Sequence, residues 1–324
     1  MPHIKYQDMR KGLRTIGSVI RMANSVHSEE QLAQMNTLED RLLKGRWLGR
    51  NTMAREEYLG RPDVSQLRIL VCTSKKGTNP GATGLLWIHG GGYAIGAPEQ
   101  DFLFVDPLTR DGNCVTVMPA YTRSTDAPYP AALEDCYLAL LWMRNHAEEL
   151  GINKDQLFVG GDSAGGGLTA ALCLYARDRK EVNIAFQMPL YPMLDDRMIT
   201  TSSQDNDAPV WNSATNEMAW KIYLRSIPEG EEVPIYAAPA RATDLSGLPP
   251  MCTYVGTIEP FYDETMIYAR RMKEQGGRVR IRRFAGCFHA FDLMGYPTKV
   301  GREARAFLLE TFRYAQEHFF AENE

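Results

Sequence analysis

The stretch LFVGGDSAGGGLTAAL, from Leu157 to Leu172, decides the fold. Its apolar beginning is typical of a buried strand, and its alanine-rich end favours a helix. Between the two, five glycines surround Ser163. Because glycine inside a helix costs about 0.5–1 kcal/mol relative to alanine, so many glycines at a strand–helix junction indicate a backbone that passes very close to its neighbours.

Residues Gly161-Asp162-Ser163-Ala164-Gly165 match the pattern G-x-S-x-G. Between a strand and a helix, this pattern forms a strained turn that exposes the serine hydroxyl as a nucleophile. We expect a Cβ atom at Gly161 or Gly165 to collide with the neighbouring strand or helix. The alternative is a turn packed closely for structural reasons with an incidental serine, and the strand–helix context favours the functional interpretation.

A second glycine-rich motif, His89-Gly90-Gly91-Gly92, follows the apolar run LLWI. In a loop of this HGGG type, backbone N–H groups form part of an oxyanion hole. We therefore predict that the N–H groups of Gly91, Gly92 and Ala164 bind the oxyanion. A plain turn is the alternative. His89 could instead act as a base, although its position better suits hydrogen bonds that shape the loop.

From about Gln66 onward, short apolar runs alternate with helical patterns, which predicts an α/β protein with a mostly parallel sheet flanked by helices. The predicted strands are QLRILVC, GLLWIHG, CVTVMPA, QLFVGG, IAFQMPLYP, MCTYVGT and RVRIRRF. A helical segment from Lys11 to Arg46 precedes this pattern, and a segment from Asp195 to Ile235 interrupts it. The second segment includes a helix predicted to begin near Asn212 or Ser213. We expect a helical cap from residues 1–50 and 196–235, and a catalytic core from residues 51–195 and 236–324.

Composition excludes several classes of function. The 324 residues are 44% hydrophobic and 23% charged, with a net charge of −4. Because no basic block is present, nucleic acid is not an expected partner. Neither a secretory signal nor an apolar run of ~20 residues is found, so we expect no membrane span. The six cysteines form no CxxC pair, which favours a reducing cytoplasm.

Six motifs in order resemble the hormone-sensitive-lipase-like family of α/β-hydrolases, in its bacterial esterase branch with a GDSAG elbow. They are HGGGY, YTRSTDAPYPAALEDCYLAL, GGDSAGGGLTAAL, PLYPMLDD, YAAPARATDLSGLPPMCTYVGTIEPFYDE and FAGCFHAFDL. The resemblance implies an α/β-hydrolase core with a helical cap. It also implies hydrolysis of carboxylic esters of short to medium acyl chains, with no cofactor or metal. Relatives often dimerise through a sheet edge, for which MCTYVG or RVRIRRF is a candidate.

The base should follow the serine, because this fold orders its residues as serine, acid and histidine. Only His289 and His318 follow Ser163. His318 falls in a terminal amphipathic helix, where packing or solvation accounts for it. His289 lies in GCFHAFDL, where the resemblance places the base, although Ala290 replaces the usual small neighbour.

Two residues of the sequence are candidates for the acid. The resemblance implies the pattern G-x-x-D-P-x-x-D-E, whereas this chain reads GTIEPFYDE from Gly256 to Glu264. Glu259 therefore occupies the position of the usual aspartate. The competitor is Asp263, whose charge near a helix N-terminus is explanation enough for its presence. Asp292 is too near His289 along the chain to pair with it easily.

Three other functions are alternatives to ester hydrolysis. The similarity of GDSAGG to the GDSGG of chymotrypsin-like proteases is discounted, because those enzymes place histidine and aspartate before the serine. A ligand-binding member without activity is disfavoured because Ser163, His289 and an acid are all present. An amidase or peptidase using the same residues stays possible, and the resemblance favours esters.

Overall fold

Eight strands form one sheet within residues 4–23 and 28–323, which the computed structural model describes. Their spatial order is β1-β2-β4-β3-β5-β6-β7-β8. The β1–β2 and β2–β4 pairs are antiparallel, and every other pair is parallel, so the mostly parallel sheet is confirmed. The strands are β1 Thr52–Gly60, β2 Gln66–Ser74, β3 Ala82–Ile88, β4 Cys114–Pro119, β5 Ile152–Asp162, β6 Phe186–Leu190, β7 Met251–Gly256 and β8 Val279–Phe284.

The α-helices of the described residues flank this sheet. They are α1 Arg14–Ala23, α2 Glu29–Leu43, α3 Phe102–Thr109, α4 Ala131–Asn145, α5 Ala147–Leu150, α6 Ala164–Arg179, α7 Ser213–Tyr223, α8 Tyr262–Glu274, α9 Phe291–Met294 and α10 Lys299–His318. As predicted, α7 begins at Ser213, where the Asn212 side chain accepts a hydrogen bond of 2.9 Å from the N–H of Thr215.

Both faces of the sheet are buried. Every residue of β3 and of β4 is buried, as expected for central strands covered on both sides. Side chains alternate between the two faces, so Leu86 joins an apolar core shared with α4 and α6, while Trp87 joins one shared with α3 and α10. Helices on both faces leave the carboxyl ends of the parallel strands to carry the functional loops.

One strand of the sheet was not predicted from the sequence, and another lies in a different position from the one expected. The missed strand, β1, lies at one edge of the sheet and has buried residues only at Thr52 and Leu59, so no hydrophobic alternation marks it. The stretch MCTYVG forms β7, which lies inside the sheet between β6 and β8, so it cannot offer a free edge. RVRIRRF forms the edge strand β8, and dimerisation through it stays a prediction.

The helices outside the sheet meet over the loop that follows β3. Leu32 of α2 and Ile222 of α7 form a small apolar cluster with Ala94 of this loop. The Asn36 side-chain amide of α2 donates a hydrogen bond of 2.8 Å to the carbonyl of Ala94. Arg225, just after α7, forms a 2.6 Å ion pair with Glu29. The N-terminal helices and the 196–235 segment therefore contact each other and the same loop.

Candidate active site

Ser163 occupies a strained turn between β5 and α6. Its φ of 56° and ψ of −118° are rare for a residue with a side chain. The backbone is fixed on both sides, because the N–H of Ser163 donates to the carbonyl of Leu190 at 2.9 Å and its own carbonyl accepts from Met193 at 3.0 Å. These bonds to the end of β6 and to the loop after it hold the turn in place.

The glycines on either side of Ser163 allow this turn to lie against β3. A Cβ atom at Gly165 would lie 2.0 Å from the carbonyl oxygen of Ile88, and one at Gly161 would lie 2.3 Å from the same oxygen. Both distances are far inside van der Waals contact, as the sequence analysis expected. The obstacle is backbone of the central strand, which cannot move without disturbing the sheet.

The loop after β3 folds back with two residues in left-handed conformations. The φ angles of Gly91 and Gly92 are +121° and +59°. A Cβ at Gly91 would lie 2.0 Å from the carbonyl oxygen of Ile95, and one at Gly92 would lie 2.2 Å from the ring of Trp211. Ala164 is the first residue of α6, so its N–H has no acceptor within the helix.

His89 is buried and shapes this loop. Its Nδ1 lies 2.7 Å from the carbonyl oxygen of Gly90, and its ring stacks on Tyr121 at a centroid distance of 4.2 Å. Burial lowers the pKa of His89 to about 4, so the ring is neutral at pH 7. A neutral, fully packed imidazole bonded to its own loop fits the structural role that the sequence favoured.

A chain of hydrogen bonds links Ser163, His289 and Glu259. The Nε2 atom of His289 lies 2.8 Å from Ser163 Oγ, and its Nδ1 lies 2.5 Å from Glu259 Oε2. The three residues are only 4%, 3% and 0% exposed, respectively. Water is therefore largely excluded from these bonds, which strengthens their electrostatic component.

The loop after β7 carries Glu259, and the loop after β8 carries His289. The N–H of Gly256 donates to Glu259 Oε1 at 2.7 Å, so each carboxylate oxygen has one partner. The loops touch directly, because the N–H of Ile258 donates to the carbonyl of Cys287 at 3.2 Å. This contact fixes the glutamate-bearing loop against the histidine-bearing one.

The other candidate residues lie elsewhere. Asp263 is in the first turn of α8, where its Oδ2 accepts a 2.8 Å hydrogen bond from the N–H of Ser202. Asp292 accepts a 2.5 Å hydrogen bond from the hydroxyl of Tyr254. His318 is exposed at the end of α10, with Nδ1 2.8 Å from the carbonyl oxygen of Tyr314. The structure thus brings Glu259, and none of these three residues, to His289.

Aromatic rings enclose His289. Tyr191 and Phe261 contact its ring edge-on at centroid distances of 5.0 and 5.1 Å, and Trp211 lies 6.4 Å away. Nothing in the sequence distinguishes Phe261 from the phenylalanines of the core. Tyr93 is buried, and its ring stacks on that of Tyr223 at a centroid distance of 4.0 Å.

An open cleft of about 1410 Å³ lies on the 196–224 segment. Acidic and polar side chains line it, among them Asp196, Asp205, Asn212 and Glu217. Neither Ser163 nor His289 contributes to its wall. The cleft is therefore separate from the hydrogen-bonded chain of Ser163, His289 and Glu259.

Comparison with known proteins identifies the family. The profile described as the alpha/beta hydrolase fold matches residues 85–293, which span both glycine-rich motifs and His289. The chain belongs to the α/β-hydrolase family. This confirms the fold and the hormone-sensitive-lipase-like resemblance that the motifs predicted.

The similar proteins are named as esterases. Carboxylesterase NlhH of Mycobacterium tuberculosis is 31% identical over a matched stretch that covers 61% of this chain and 62% of that protein. An arylesterase of Saccharolobus solfataricus is 30% identical over 70% of this chain and 73% of its own length. Among solved structures, a bacterial heroin esterase superimposes with a TM-score of 0.86 at 33% identity, covering 96% of this chain and 99% of its own.

The described helices include none with the length and apolar character needed to cross a membrane.

Replacing Gly165 by alanine should destabilise the protein, because the new methyl group meets the carbonyl of Ile88 at 2.0 Å. We expect a loss of about 1–3 kcal/mol or more, as for an overpacked core. Gly60 of β1 is the matched control, since nothing lies within 4 Å of a Cβ there. The Gly60→Ala variant should change the stability by less than about 1 kcal/mol. Urea unfolding of both variants measures the difference, and equal effects would contradict this account of the turn.

Proposed function

We propose that the protein is a serine carboxylic ester hydrolase that works through an acyl-enzyme on Ser163. The observation that carries the proposal is the buried, continuous hydrogen-bonded chain from Ser163 Oγ through His289 to Glu259. A serine hydroxyl is a weak nucleophile until a neighbouring base removes its proton, and this chain provides such a base with a carboxylate behind it. The esterase names of the similar proteins support the same reaction class.

His289 Nε2 takes the proton of Ser163 as Oγ attacks the ester carbonyl. Glu259 keeps the other proton on Nδ1 and stabilises the imidazolium that forms. The imidazolium then donates its proton to the departing alcohol, which leaves an acyl group on Ser163. Water, deprotonated by His289, releases the acid and restores the serine.

The oxyanion hole belongs to the same proposal. The N–H groups of Gly91, Gly92 and Ala164 would donate hydrogen bonds to the negatively charged oxygen of the tetrahedral intermediate. The left-handed φ angles of Gly91 and Gly92 support this, because successive N–H groups in such turns converge on one side. The N-terminus of α6 adds its favourable dipole at the same place.

Glutamate can replace the usual aspartate here because of how its loop is held. One carboxylate oxygen of Glu259 accepts the N–H of Gly256, which draws the longer side chain back toward the end of β7. The second oxygen is thereby aimed at His289 Nδ1. Asp263 has no comparable geometry, because its carboxylate bonds the N–H of Ser202.

We further propose that residues 1–50 and 196–235 act as a cap that favours short to medium acyl chains. Trp211 supports this, because its ring covers Gly92 and is itself 7% exposed. The Trp211 indole N–H donates to the Asn216 side chain at 3.2 Å, which fixes the ring. A rigid ring over the oxyanion loop leaves little room for a long substrate chain.

The proposal predicts serine-dependent hydrolysis of p-nitrophenyl esters. The wild type should hydrolyse acetate and butyrate esters, with kcat/KM falling as the acyl chain lengthens. The Ser163→Ala variant should lose roughly 10⁶-fold in kcat, because the nucleophile is gone. Spectrophotometric release of p-nitrophenolate measures both proteins, and equal background rates would refute the proposal.

The role of Glu259 predicts a ranking of two variants. Glu259→Gln should lower kcat by about 10³–10⁴-fold, because a neutral amide neither fixes the tautomer nor stabilises the imidazolium. Asp263→Asn is the matched control, because Asp263 lies in the helix that follows the loop of Glu259. The kcat of this variant should stay within a few-fold of the wild type. The reverse ranking would assign the acid to Asp263.

A further inference from the structure

Two buried carboxyl groups, one of them on the residue before Ser163, have no part in the mechanism above. Asp162 immediately precedes Ser163, and Asp101 ends the short 3₁₀ helix Pro98–Asp101. They are 3% and 0% exposed. Each carboxyl group lies within reach of a hydrogen bond to the other, although the two residues come from distant parts of the chain.

This contact requires a proton. The Oδ1 atoms of both residues have no N–H or O–H partner within the part of the chain that the structure describes. Asp101 Oδ2 accepts a 2.8 Å hydrogen bond from the indole N–H of Trp87. Ionised carboxylates only accept hydrogen bonds, so a hydrogen bond between these two groups needs a proton on one of them.

The surroundings favour keeping that proton. Burial, reinforced by the neighbouring charge of Asp101, raises the pKa of Asp162 well above its usual range. Burial likewise raises the pKa of Asp101 to about 7. The titratable groups that face the pair are Asp292, His289, Tyr121, Tyr191 and Tyr254. Only His289 among them can carry positive charge, so a second negative charge on the pair is strongly disfavoured.

The pair contacts the start of the oxyanion loop. A Cβ atom on Gly90 would lie 2.6 Å from Asp162 Oδ2, so this carboxyl group packs directly against the Gly90 backbone. Gln100, next to Asp101, donates a hydrogen bond of 3.4 Å to the carbonyl of Gly90. Gly90 precedes the two residues whose N–H groups the mechanism uses. The end of β5, the 3₁₀ helix and the loop therefore meet at this one pair.

We propose that Asp162 donates a shared proton to Asp101 and that this O–H···O bond positions the Gly90–Gly92 loop beside Ser163. Asp162 is then a positioning residue. Its effect on turnover rests on the esterase function proposed above, whereas the proton sharing itself does not.

The direction of the pH effect follows from the raised pKa values. Below the ordinary pKa of an aspartate, about 3.9, both aspartates are protonated in the folded and in the unfolded chain. In that range the raised pKa values do not change the free energy of unfolding. As the pH rises above that value, the unfolded chain ionises freely while the folded pair resists ionisation. The wild type therefore loses stability with rising pH, until the pH passes the raised pKa values of the pair.

Asp162→Asn tests the proposal, because its amide N–H donates permanently to Asp101. The melting temperature of Asp162→Asn relative to the wild type should increase between pH 5 and pH 9. Its kcat should stay within about threefold of the wild type and should persist at alkaline pH, where the wild-type kcat falls. Asp162→Leu, of similar size but without a donor, should lose about 10²-fold in kcat with little change in KM, as expected for a misplaced oxyanion loop.

Glu264→Gln is the matched control. Glu264 is also a buried carboxyl group whose pKa burial raises, but it bonds the N–H of Leu194 rather than the oxyanion loop. Its amide variant should gain stability with pH in the same way, while the pH profile of kcat stays that of the wild type.

A relative melting temperature of Asp162→Asn that does not change with pH would overturn the proton sharing. Equal losses of kcat in Asp162→Asn and Asp162→Leu would overturn the positioning role. A wild type without esterase activity would instead refute the proposed function, and the melting series would still decide the proton sharing.

Discussion

The site depends on the close approach of two central strands where β3 and β5 end. The carbonyl of Ile88 lies so near the β5–α6 turn that only hydrogen atoms fit at Gly161 and Gly165. This packing lets Ser163 adopt its left-handed conformation, since the bonds to Leu190 and Met193 hold the strained turn from the other side. It also places the loop that follows Ile88 next to the serine. One steric constraint thus brings Ser163 and the Gly90–Gly92 loop together.

The parallel direction of the strands positions His289 and Glu259. Because β5 to β8 run in the same direction, their carboxyl ends lie along one edge, and the loops after β7 and β8 reach Ser163 from the side. His289 and Glu259 each come from one of these loops, which are tied together by the bond from Ile258 to Cys287. The aromatic rings around His289 then exclude water. The result is a polar chain with every member paired inside an apolar shell.

Local sequence encodes two parts of the site. The turn at Ser163 and the loop at Gly91 are contiguous motifs whose glycines have a direct steric meaning. The sequence favoured Glu259 over Asp263, but the bond from Gly256 that turns the Glu259 carboxylate toward His289 leaves no pattern in the sequence. The contact between Asp101 and Asp162 leaves no local pattern, since the two residues meet only after β3 and β5 pair. β1 was missed for a related reason, as an edge strand with few buried residues carries no apolar alternation.

The central claim is that Ser163 is the nucleophile of this chain, and covalent labelling tests it most directly. Diethyl p-nitrophenyl phosphate phosphorylates a serine that has been activated by a base, and the p-nitrophenolate released counts the reacting sites. We predict one equivalent of p-nitrophenolate per chain, with the label on the peptide that contains Ser163. The Glu259→Gln variant should react much more slowly at the same residue. Labelling of a different serine, or full esterase activity in protein whose Ser163 carries the label, would contradict the account.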